Sequence, residues 1–344
     1  MASEPRAKTQ RIPELDGLRG LAALGVALFH LRIFLAGAPN PVASLPGGEW
    51  ILLKGWHLVD LFFVLSGFIF AHCYLRRGRM REDVDLAKFA WARIARLVPV
   101  HVVIICFTGF MLRYAPSTTW ANFSLSLFML HAFVPKLELL NPPVWSISVE
   151  LICYALFAIL AITAGPRRLP LACTFLAFTG AFLILSEMSP YIGRGLLGFF
   201  VGCLVQQHEE KLSYIPWGIL SLAALFPFIL GSALHWVIVE TLVSWPAILL
   251  LAPKIRQLRG APLQWLGSRS YAIYLVHVPL FLFFGYLALD FPVVPTNFAV
   301  IICLATVLLV ADILHRNVEI PMQHKLINWT ANRKQFPREK RSNG

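Results

Sequence analysis

Long apolar runs separated by short polar segments follow one another from Leu15 to Trp329. A transmembrane helix needs about 20 mostly apolar residues, and most of these runs have that length. Their positions predict about ten transmembrane helices, at Leu15–Leu35, Trp56–Leu75, Leu97–Tyr114, Trp145–Ala164, Leu169–Glu187, Tyr191–Gln207, Ile215–Gly231, Trp236–Ala252, Trp265–Leu289 and Thr296–His315. The expected fold is therefore an all-α polytopic membrane protein.

The composition supports this class and excludes several others. Of the 344 residues, 58% are hydrophobic and 14% are charged, whereas soluble proteins average about 45–50% apolar and about 25% charged residues. Soluble domains, a disordered chain, a coiled coil and a disulfide-rich secreted module are therefore excluded. The six cysteines lie within or at the end of apolar runs and lack metal-ligand spacing, so we expect free thiols.

The formal net charge of +12 could indicate a nucleic-acid partner, but its distribution along the chain indicates membrane topology instead. With a cytoplasmic N-terminus, the cytoplasmic segments hold 25 of the 30 Lys and Arg residues, as the positive-inside rule requires. We therefore expect both termini in the cytoplasm and no nucleic-acid partner. An eleventh crossing at Trp120–Val134 would reverse every later loop, so this segment is expected outside, at the interface or re-entrant.

Ionisable side chains inside a bilayer are costly unless they are paired or line a polar cavity, which makes each of them a functional candidate. The first span holds Asp16, Arg19 and His30 in the sequence LDGLRGLAALGVALFH. Arg19 and His30 are eleven positions apart, so they share one face of a helix and are separated by a rise of about 16 Å. Asp16 joins the same face. The three residues predict a polar stripe from the cytoplasmic entry to the outer third of the membrane.

Two acids fall at the depth of His30 on other spans. Asp60 lies near the outer end of the second span and Glu150 near the outer end of the fourth, with Glu240 on the eighth as a weaker addition. A carboxylate can hold an imidazole in the tautomer that a general base needs. A lone histidine is more often a packed, hydrogen-bonded residue, but a histidine with two acids at one depth favours a catalytic role.

Two pairs of polar residues each have two interpretations. Arg93 and Arg96, three positions apart beside the membrane, are either topogenic charge that contacts lipid headgroups or a clamp for a cytoplasmic polyphosphate. Ser66 and Gly67, in the second span, are either a helix-packing contact or part of a functional site. The sequence alone leaves both choices open.

The ninth span reads SRSYAIYLVHVPLFLFF and carries three polar aromatic side chains on part of one side. Tyr271, Tyr274 and His277 lie at positions i, i+3 and i+6, and His277 is expected near the middle of the membrane. Tyr271 could equally belong to the aromatic belt at the interface.

Several segments, taken in order, match a known pattern. The segment IPELDGLRGLAALGVALFH resembles the signature of acyltransferase family 3, the bacterial integral-membrane O-acyltransferases. Four further features are similar to that family: VDLFFVLSGFI, the Arg93 and Arg96 pair, PPVWSISVE, and SRSYAIYLVHVPL followed by the sequence VEIP. The resemblance covers residues 12–321. It implies a cytoplasmic N-terminal arm at 1–11, a transmembrane acyltransferase domain at 12–321, and a basic, partly disordered cytoplasmic tail at 322–344.

The resemblance implies transfer of an acyl group, usually acetyl from acetyl-CoA, to a hydroxyl of a carbohydrate such as an exopolysaccharide, O-antigen or lipid-linked glycan. It implies a multi-pass protein of the bacterial inner membrane whose partners are acyl-CoA, the glycan acceptor and the bilayer. The site residues carried over fall into three groups: the catalytic residues His30, Glu150 and Asp60; the CoA-binding residues Arg19, Arg93, Arg96 and Asp16; and the active-region residues Ser66, Trp145, Ser148, Tyr271, Tyr274 and His277.

The sequence departs from the family pattern at two places. Many members carry a second acid after the glutamate of WSxSVE, where this chain has Leu151. Some members carry a C-terminal soluble esterase-like domain, which we do not find in this sequence, so we expect a single-step transfer within the membrane domain. Direct transfer and an acyl-enzyme both fit. Direct general-base catalysis is favoured because no Ser or Cys is obviously paired with His30.

A transporter of a sugar or small anion is the alternative function, because carriers also show many spans with buried charges and mid-membrane His and Tyr residues. Against it, the sequence has no repeated halves and no paired interrupted helices. A structural or receptor protein would not need the polar face of the first span. The resemblance implies acetyl-CoA as the donor substrate, and the sequence has no motif for a metal.

Overall fold

The computed structural model describes residues 11–35, 40–76, 79–80, 86–115, 118–134, 139–290 and 296–333. Helices dominate these residues and confirm the all-α class. The α-helices are α1 (Pro13–His30), α2 (Arg32–Leu35), α3 (Gly48–Lys54), α4 (Leu58–Tyr74), α5 (Leu86–Met111), α6 (Trp120–Leu127), α7 (Trp145–Thr163), α8 (Gly165–Leu185), α9 (Pro190–Gln207), α10 (Glu209–Leu212), α11 (Trp217–Ile229), α12 (Trp236–Val239), α13 (Trp245–Leu251), α14 (Ala261–Asp290), α15 (Thr296–Leu314) and α16 (Ile320–Arg333).

Shorter elements join these helices. Two-residue strands β1 (Leu75–Arg76) and β2 (Arg79–Met80) pair antiparallel after α4. Two π-helical turns, Glu240–Ser244 and His315–Glu319, lead into α13 and α16. Short 3₁₀ helices are found at Pro41–Ser44, Gly55–His57, His131–Phe133, Pro142–Val144, Ala252–Lys254 and Arg256–Arg259.

Eight helical segments of the described chain are long and apolar enough to cross a membrane, which makes the protein polytopic. They are Pro13–Leu35, Gly48–Tyr74, Phe89–Met111, Pro142–Thr163, Gly165–Leu185, Trp236–Lys254, Ala261–Leu287 and Asn297–Asn328. The other two predicted spans, the sixth and seventh, form α9 and α11 but fall outside this set. The 13 residues of α11 rise only about 20 Å, against a hydrocarbon core of about 30 Å. Arg194 and four glycines dilute the hydropathy of α9.

The contacts within the chain define two compact units. The first comprises Met1–Ala22, His57–Arg81 and Ala155–Ser268, and the second comprises Ala23–Trp56, Glu82–Tyr154 and Arg269–Gly344. The helices α1, α7 and α14 each contribute residues to both units.

In the first unit, α9 packs along both α4 and α8. Glycine makes the approach of α4 and α9 possible. A Cβ atom at Gly67 would lie 1.8 Å from the Phe199 carbonyl oxygen, and one at Gly202 would lie 2.1 Å from the Val64 carbonyl oxygen. Small residues let helices pack backbone against backbone in a bilayer, which supports the packing interpretation of Gly67.

In the second unit, α5 packs against α6 and α16. The eight residues of α6 rise about 12 Å, too little to cross the hydrocarbon core. This agrees with the prediction that Trp120–Val134 is not an eleventh span. The helix α16 continues to Arg333, beyond the predicted domain boundary at 321. The remainder of the predicted tail, and the N-terminal arm except Arg11, lie outside the described residues.

Candidate active site

The polar face of the first span lies on one continuous helix, α1, which ends at His30. Near its start, the Asp16 carboxylate pairs with Arg11 at 2.5 Å and with Arg19 at 3.5 Å. The side chains of Asp16 and Arg19 are only 15% and 17% exposed. The predicted helix is confirmed, and Asp16 and Arg19 are brought together as an i, i+3 ion pair.

His30, in the second unit, contacts a second histidine. Its Nδ1 atom lies 3.2 Å from Nε2 of His277, and the two ring centroids are 5.1 Å apart. His277 is completely buried and His30 is half-buried. The first and ninth predicted spans therefore meet through their histidines.

The hydrogen bonds of the two rings define their tautomers. A carbonyl oxygen can only accept, so in neutral His277 the Nδ1 atom, 3.1 Å from the Ile273 carbonyl, carries the hydrogen and Nε2 accepts. Nδ1 of His30 then donates to two acceptors, the Val26 carbonyl at 3.0 Å and Nε2 of His277. Nε2 of neutral His30 is left with a lone pair, as a general base requires.

Hydrogen bonds join α14, the helix that carries His277, to the start of α7. Tyr274 Oη donates to the Pro143 carbonyl at 2.8 Å and lies 2.8 Å from Ser146 Oγ. Asn141 Nδ2 donates to the Leu275 carbonyl at 2.8 Å. These buried contacts join the WSISVE segment to the helical turn that holds His277. Trp145 is half-buried and Ser148 is buried within that segment.

Glu150 occupies a cluster of arginines and tyrosines in the same unit. Its Oε1 atom accepts a hydrogen bond from Tyr154 Oη at 2.5 Å. The charge of Arg96 interacts with those of Glu150 and Glu319, and the guanidinium of Arg93 lies 6.0 Å from the centroid of the Tyr154 ring. Glu150, the predicted catalytic acid, therefore lies in the same cluster as Arg93 and Arg96, the predicted phosphate-binding arginines.

Tyr271 is close to this cluster. Its Oη atom donates to the Leu97 carbonyl, on the turn of α5 after Arg96, at 2.6 Å. The side chain is therefore used within the protein, which argues against the interpretation of Tyr271 as a lipid-facing belt residue.

Asp60 lies in the first unit, where it forms a bidentate ion pair with Arg194. Its two carboxylate oxygens accept from Nε at 2.9 Å and from Nη2 at 2.8 Å. One turn earlier, His57 Nδ1 lies 2.5 Å from Glu240 Oε2, and both of those side chains are completely buried. Ser66, farther along α4, is half-buried.

Sequence reasoning missed Arg194 and His57 as partners of the two acids. The available signal was charge balance, because an acid inside a bilayer needs a cation or a donor nearby. Arg194 lies near the start of the sixth predicted span. Across the described ranges, we find no group of three or more His, Cys, Asp and Glu residues that could hold a metal ion.

The structure is that of a polytopic all-α membrane protein in which two histidines contact each other and a glutamate accepts a hydrogen bond from a tyrosine near two arginines. A family model described as an acyltransferase domain matches residues 12–316. The chain belongs to this acyltransferase family, as the sequence motifs predict.

Similar proteins include two that are named as O-acetyltransferases. The chain is 24% identical to the O-acetyltransferase OatA of Staphylococcus aureus over 369 residues, which cover 91% of this chain and 57% of that protein. It is 24% identical to the peptidoglycan O-acetyltransferase OatA of Listeria monocytogenes over 390 residues, 94% of this chain and 57% of that protein. The chain thus spans little more than half the length of these relatives. No solved structure matches it.

Proposed function

We propose that this protein is a membrane O-acyltransferase that moves an acyl group from acyl-CoA to a hydroxyl of a carbohydrate. The main acyl group is acetyl. The family membership supports the reaction class. The observation that carries the proposal is the histidine pair, because it leaves Nε2 of His30 with a lone pair. His30 is then the general base, and His277 is a positioning residue that holds its tautomer.

The proposed step is a direct transfer. Nε2 of His30 takes the proton of the acceptor hydroxyl while the hydroxyl oxygen bonds to the carbonyl carbon of the thioester. The carbon–sulfur bond breaks, and the leaving thiolate of CoA receives the proton, which returns His30 to its starting form. The overall exchange leaves an ester and free CoA, with no net proton released.

The arginines are candidates for the phosphate groups of the donor. Guanidinium groups bind phosphate oxygens bidentately, and we assign this role to Arg93 and Arg96 of the second unit and to Arg19 on α1, which Asp16 orients. Along α1, the rise from Arg19 to His30 is about 16 Å, close to the length of the flexible thiol arm of CoA. Glu150 orients its arginine neighbours and acts as the essential acid of this region.

The acceptor is proposed from the relatives. The Listeria monocytogenes protein is named a peptidoglycan O-acetyltransferase, so soluble peptidoglycan fragments are the first acceptor to test. The acceptors to test next are exopolysaccharide, O-antigen and lipid-linked glycans. A donor from the cytoplasm and an acceptor from the cell envelope fit a multi-pass protein of the bacterial inner membrane.

The test measures CoA release from acetyl-CoA by the purified protein in detergent, with and without peptidoglycan fragments. His30→Gln is expected to lower glycan-dependent release about 100-fold to 10,000-fold, the usual contribution of a general base. His208→Gln is the matched control, because Nδ1 of His208 makes the same i−4 contact with a carbonyl, 2.9 Å from the Leu204 oxygen. The control is expected to retain full activity.

The outcomes separate the possibilities. Normal transfer by His30→Gln would exclude His30 as the base. Release that needs His30 but not the glycan would indicate slow hydrolysis or an acyl-enzyme. No release, together with no thermal stabilisation by CoA, would reject the donor assignment and bring the transporter alternative forward.

A further inference from the structure

A cavity of about 360 Å³ opens in the second unit where α5 ends and α6 begins. We call it the Trp120 cavity. Its walls include Phe110 from α5 and Trp120 and Phe123 from α6. Gly109 shapes the space, because a Cβ atom there would lie 2.8 Å from the Phe123 ring. The cavity has the size of a site for a small ligand, which is typically about 300–1,000 Å³.

Two aromatic side chains of this cavity are largely exposed. Trp120 is 86% exposed and Phe110 is 68% exposed. The Trp120 ring meets the edge of Phe123 at a centroid distance of 6.3 Å, which holds the two rings nearly perpendicular. Exposed aromatic residues near the end of a span often anchor it in the interface. Such anchoring would not require a cavity.

Two polar groups face this aromatic wall. The hydroxyl oxygen of Thr118 is buried and has no hydrogen-bond partner among the described residues. The guanidinium of Arg113 lies 4.5 Å from the centroid of the Phe110 ring, and its Nη1 donates to the Phe110 carbonyl at 2.9 Å. A guanidinium has five N–H donors, so further donors remain for a ligand. A buried hydroxyl without a partner indicates a missing polar group, either from a ligand or from water.

We propose that the Trp120 cavity binds a sugar unit of the carbohydrate acceptor. A pyranose ring offers a flat apolar face for Trp120 and hydroxyls for Thr118 and Arg113. A lipid acyl chain would suit the aromatic walls but would leave the Thr118 hydroxyl without a partner, at a cost in free energy. The proposal rests on the proposed function, because it assumes that the acceptor is a carbohydrate.

A labelling experiment tests occupancy of the cavity without any need for catalysis. Cys106 lines the cavity and is exposed, whereas Cys153, Cys173, Cys203 and Cys303 are buried. In a Cys73→Ser background, the rate of reaction of Cys106 with N-ethylmaleimide is measured in detergent. Peptidoglycan fragments are expected to slow this reaction severalfold.

Two variants and one competing probe show whether the protection of Cys106 comes from a sugar bound in the Trp120 cavity. Trp120→Ala is expected to abolish the protection. Phe128→Ala should keep it, since Phe128 is an aromatic residue, 69% exposed, just beyond the other end of α6 and does not line the cavity. Protection by phosphatidylglycerol but not by the glycan would overturn the proposal in favour of a lipid site.

Kinetics supply the second readout. Trp120→Ala should raise KM for the glycan about fivefold to tenfold, as expected for loss of one stacked aromatic contact. KM for acetyl-CoA should stay unchanged. Trp120→Phe should give a KM for the glycan between those of the wild type and Trp120→Ala. Protection of Cys106 without acetyl transfer would keep the sugar site and reject the proposed function. Transfer with neither protection nor a change in KM would reject the sugar site alone.

Discussion

Two clusters of buried ionisable side chains, one in each unit, have different partners. In the first unit, each acid contacts a nitrogen group: Asp60 is bound at both oxygens by Arg194, and Glu240 Oε2 lies 2.5 Å from His57 Nδ1. In the second unit, His30 contacts another base, His277, and the Val26 carbonyl. Arg194 occupies both carboxylate oxygens of Asp60, whereas the contacts of His30 leave a lone pair on its Nε2 atom.

This difference suggests a role in stability for Asp60 and Arg194 and a role in chemistry for His30. Arg194 binds both oxygens of the buried Asp60 carboxylate, and the side chain that His30 contacts is His277, so the geometry favours a structural role for Asp60 over the catalytic role implied by the resemblance. A neutral imidazole held by its Nδ1 hydrogen can accept a proton at Nε2. Variants in the two units should therefore fail in different assays.

The largest effect is expected from breaking the charge pair of the first unit. Arg194→Leu leaves the Asp60 carboxylate buried without its cation, which should destabilise the protein by about 3–5 kcal/mol. The thermal unfolding midpoint of the purified protein in detergent measures the loss. Arg316→Leu is the control: Arg316 pairs with Asp312 at 2.9 Å, but its side chain is 63% exposed, and such pairs contribute about 0–1 kcal/mol.

A double variant sharpens this test. Asp60→Leu combined with Arg194→Leu removes both charges and should recover much of the lost stability, because apolar pairs often replace buried ion pairs at little cost. A double variant no more stable than Arg194→Leu would mean that Arg194 stabilises the unit through packing and not through its charge.

The sequence predicted the helices well because each span is a local property. The first span was expected to be helical with Arg19 and His30 on one face, and α1 confirms the helix. At α9 and α11 the structure confirms helices, but glycines, a charge or a short length leave these two helices outside the set that is long and apolar enough to cross a membrane.

The site was less predictable because its contacts join distant parts of the chain. Asp60 and Arg194 are 134 positions apart, and His30 and His277 are 247 positions apart. Depth along a span can be read from the sequence, but the rotation of each helix about its axis depends on packing. Equal depth therefore did not identify the partner of Asp60. The Tyr154 contact of Glu150 was readable, because the two residues are four positions apart.

An intermediate effect is expected from the histidine pair itself. His277→Phe removes the acceptor for the Nδ1 hydrogen of His30 and should lower kcat about tenfold, the rate equivalent of one hydrogen bond of about 1.4 kcal/mol. His277→Gln offers a carbonyl oxygen in place of Nε2 and should retain most of the activity. Steady-state assays with acetyl-CoA and glycan measure both variants.

KM for acetyl-CoA should be the same in both variants, because a positioning residue does not touch the donor. An equal loss of kcat in His277→Gln and His277→Phe would contradict the tautomer argument. It would indicate that His277 itself exchanges a proton with a substrate.

The smallest effect is expected from Tyr274→Phe, which removes the hydroxyl that joins α14 to the Pro143 carbonyl and to Ser146. One such hydrogen bond contributes about 0.5–1.5 kcal/mol to stability, so the unfolding midpoint should fall by a few degrees. Activity should change little, since the backbone of α14 still holds His277. Tyr286→Phe, on an exposed tyrosine of the same helix, is the control and should alter neither property. A loss of activity beyond tenfold at normal stability would mean that the Tyr274 hydroxyl contacts a substrate, and the chemistry of the second unit would then extend beyond its two histidines.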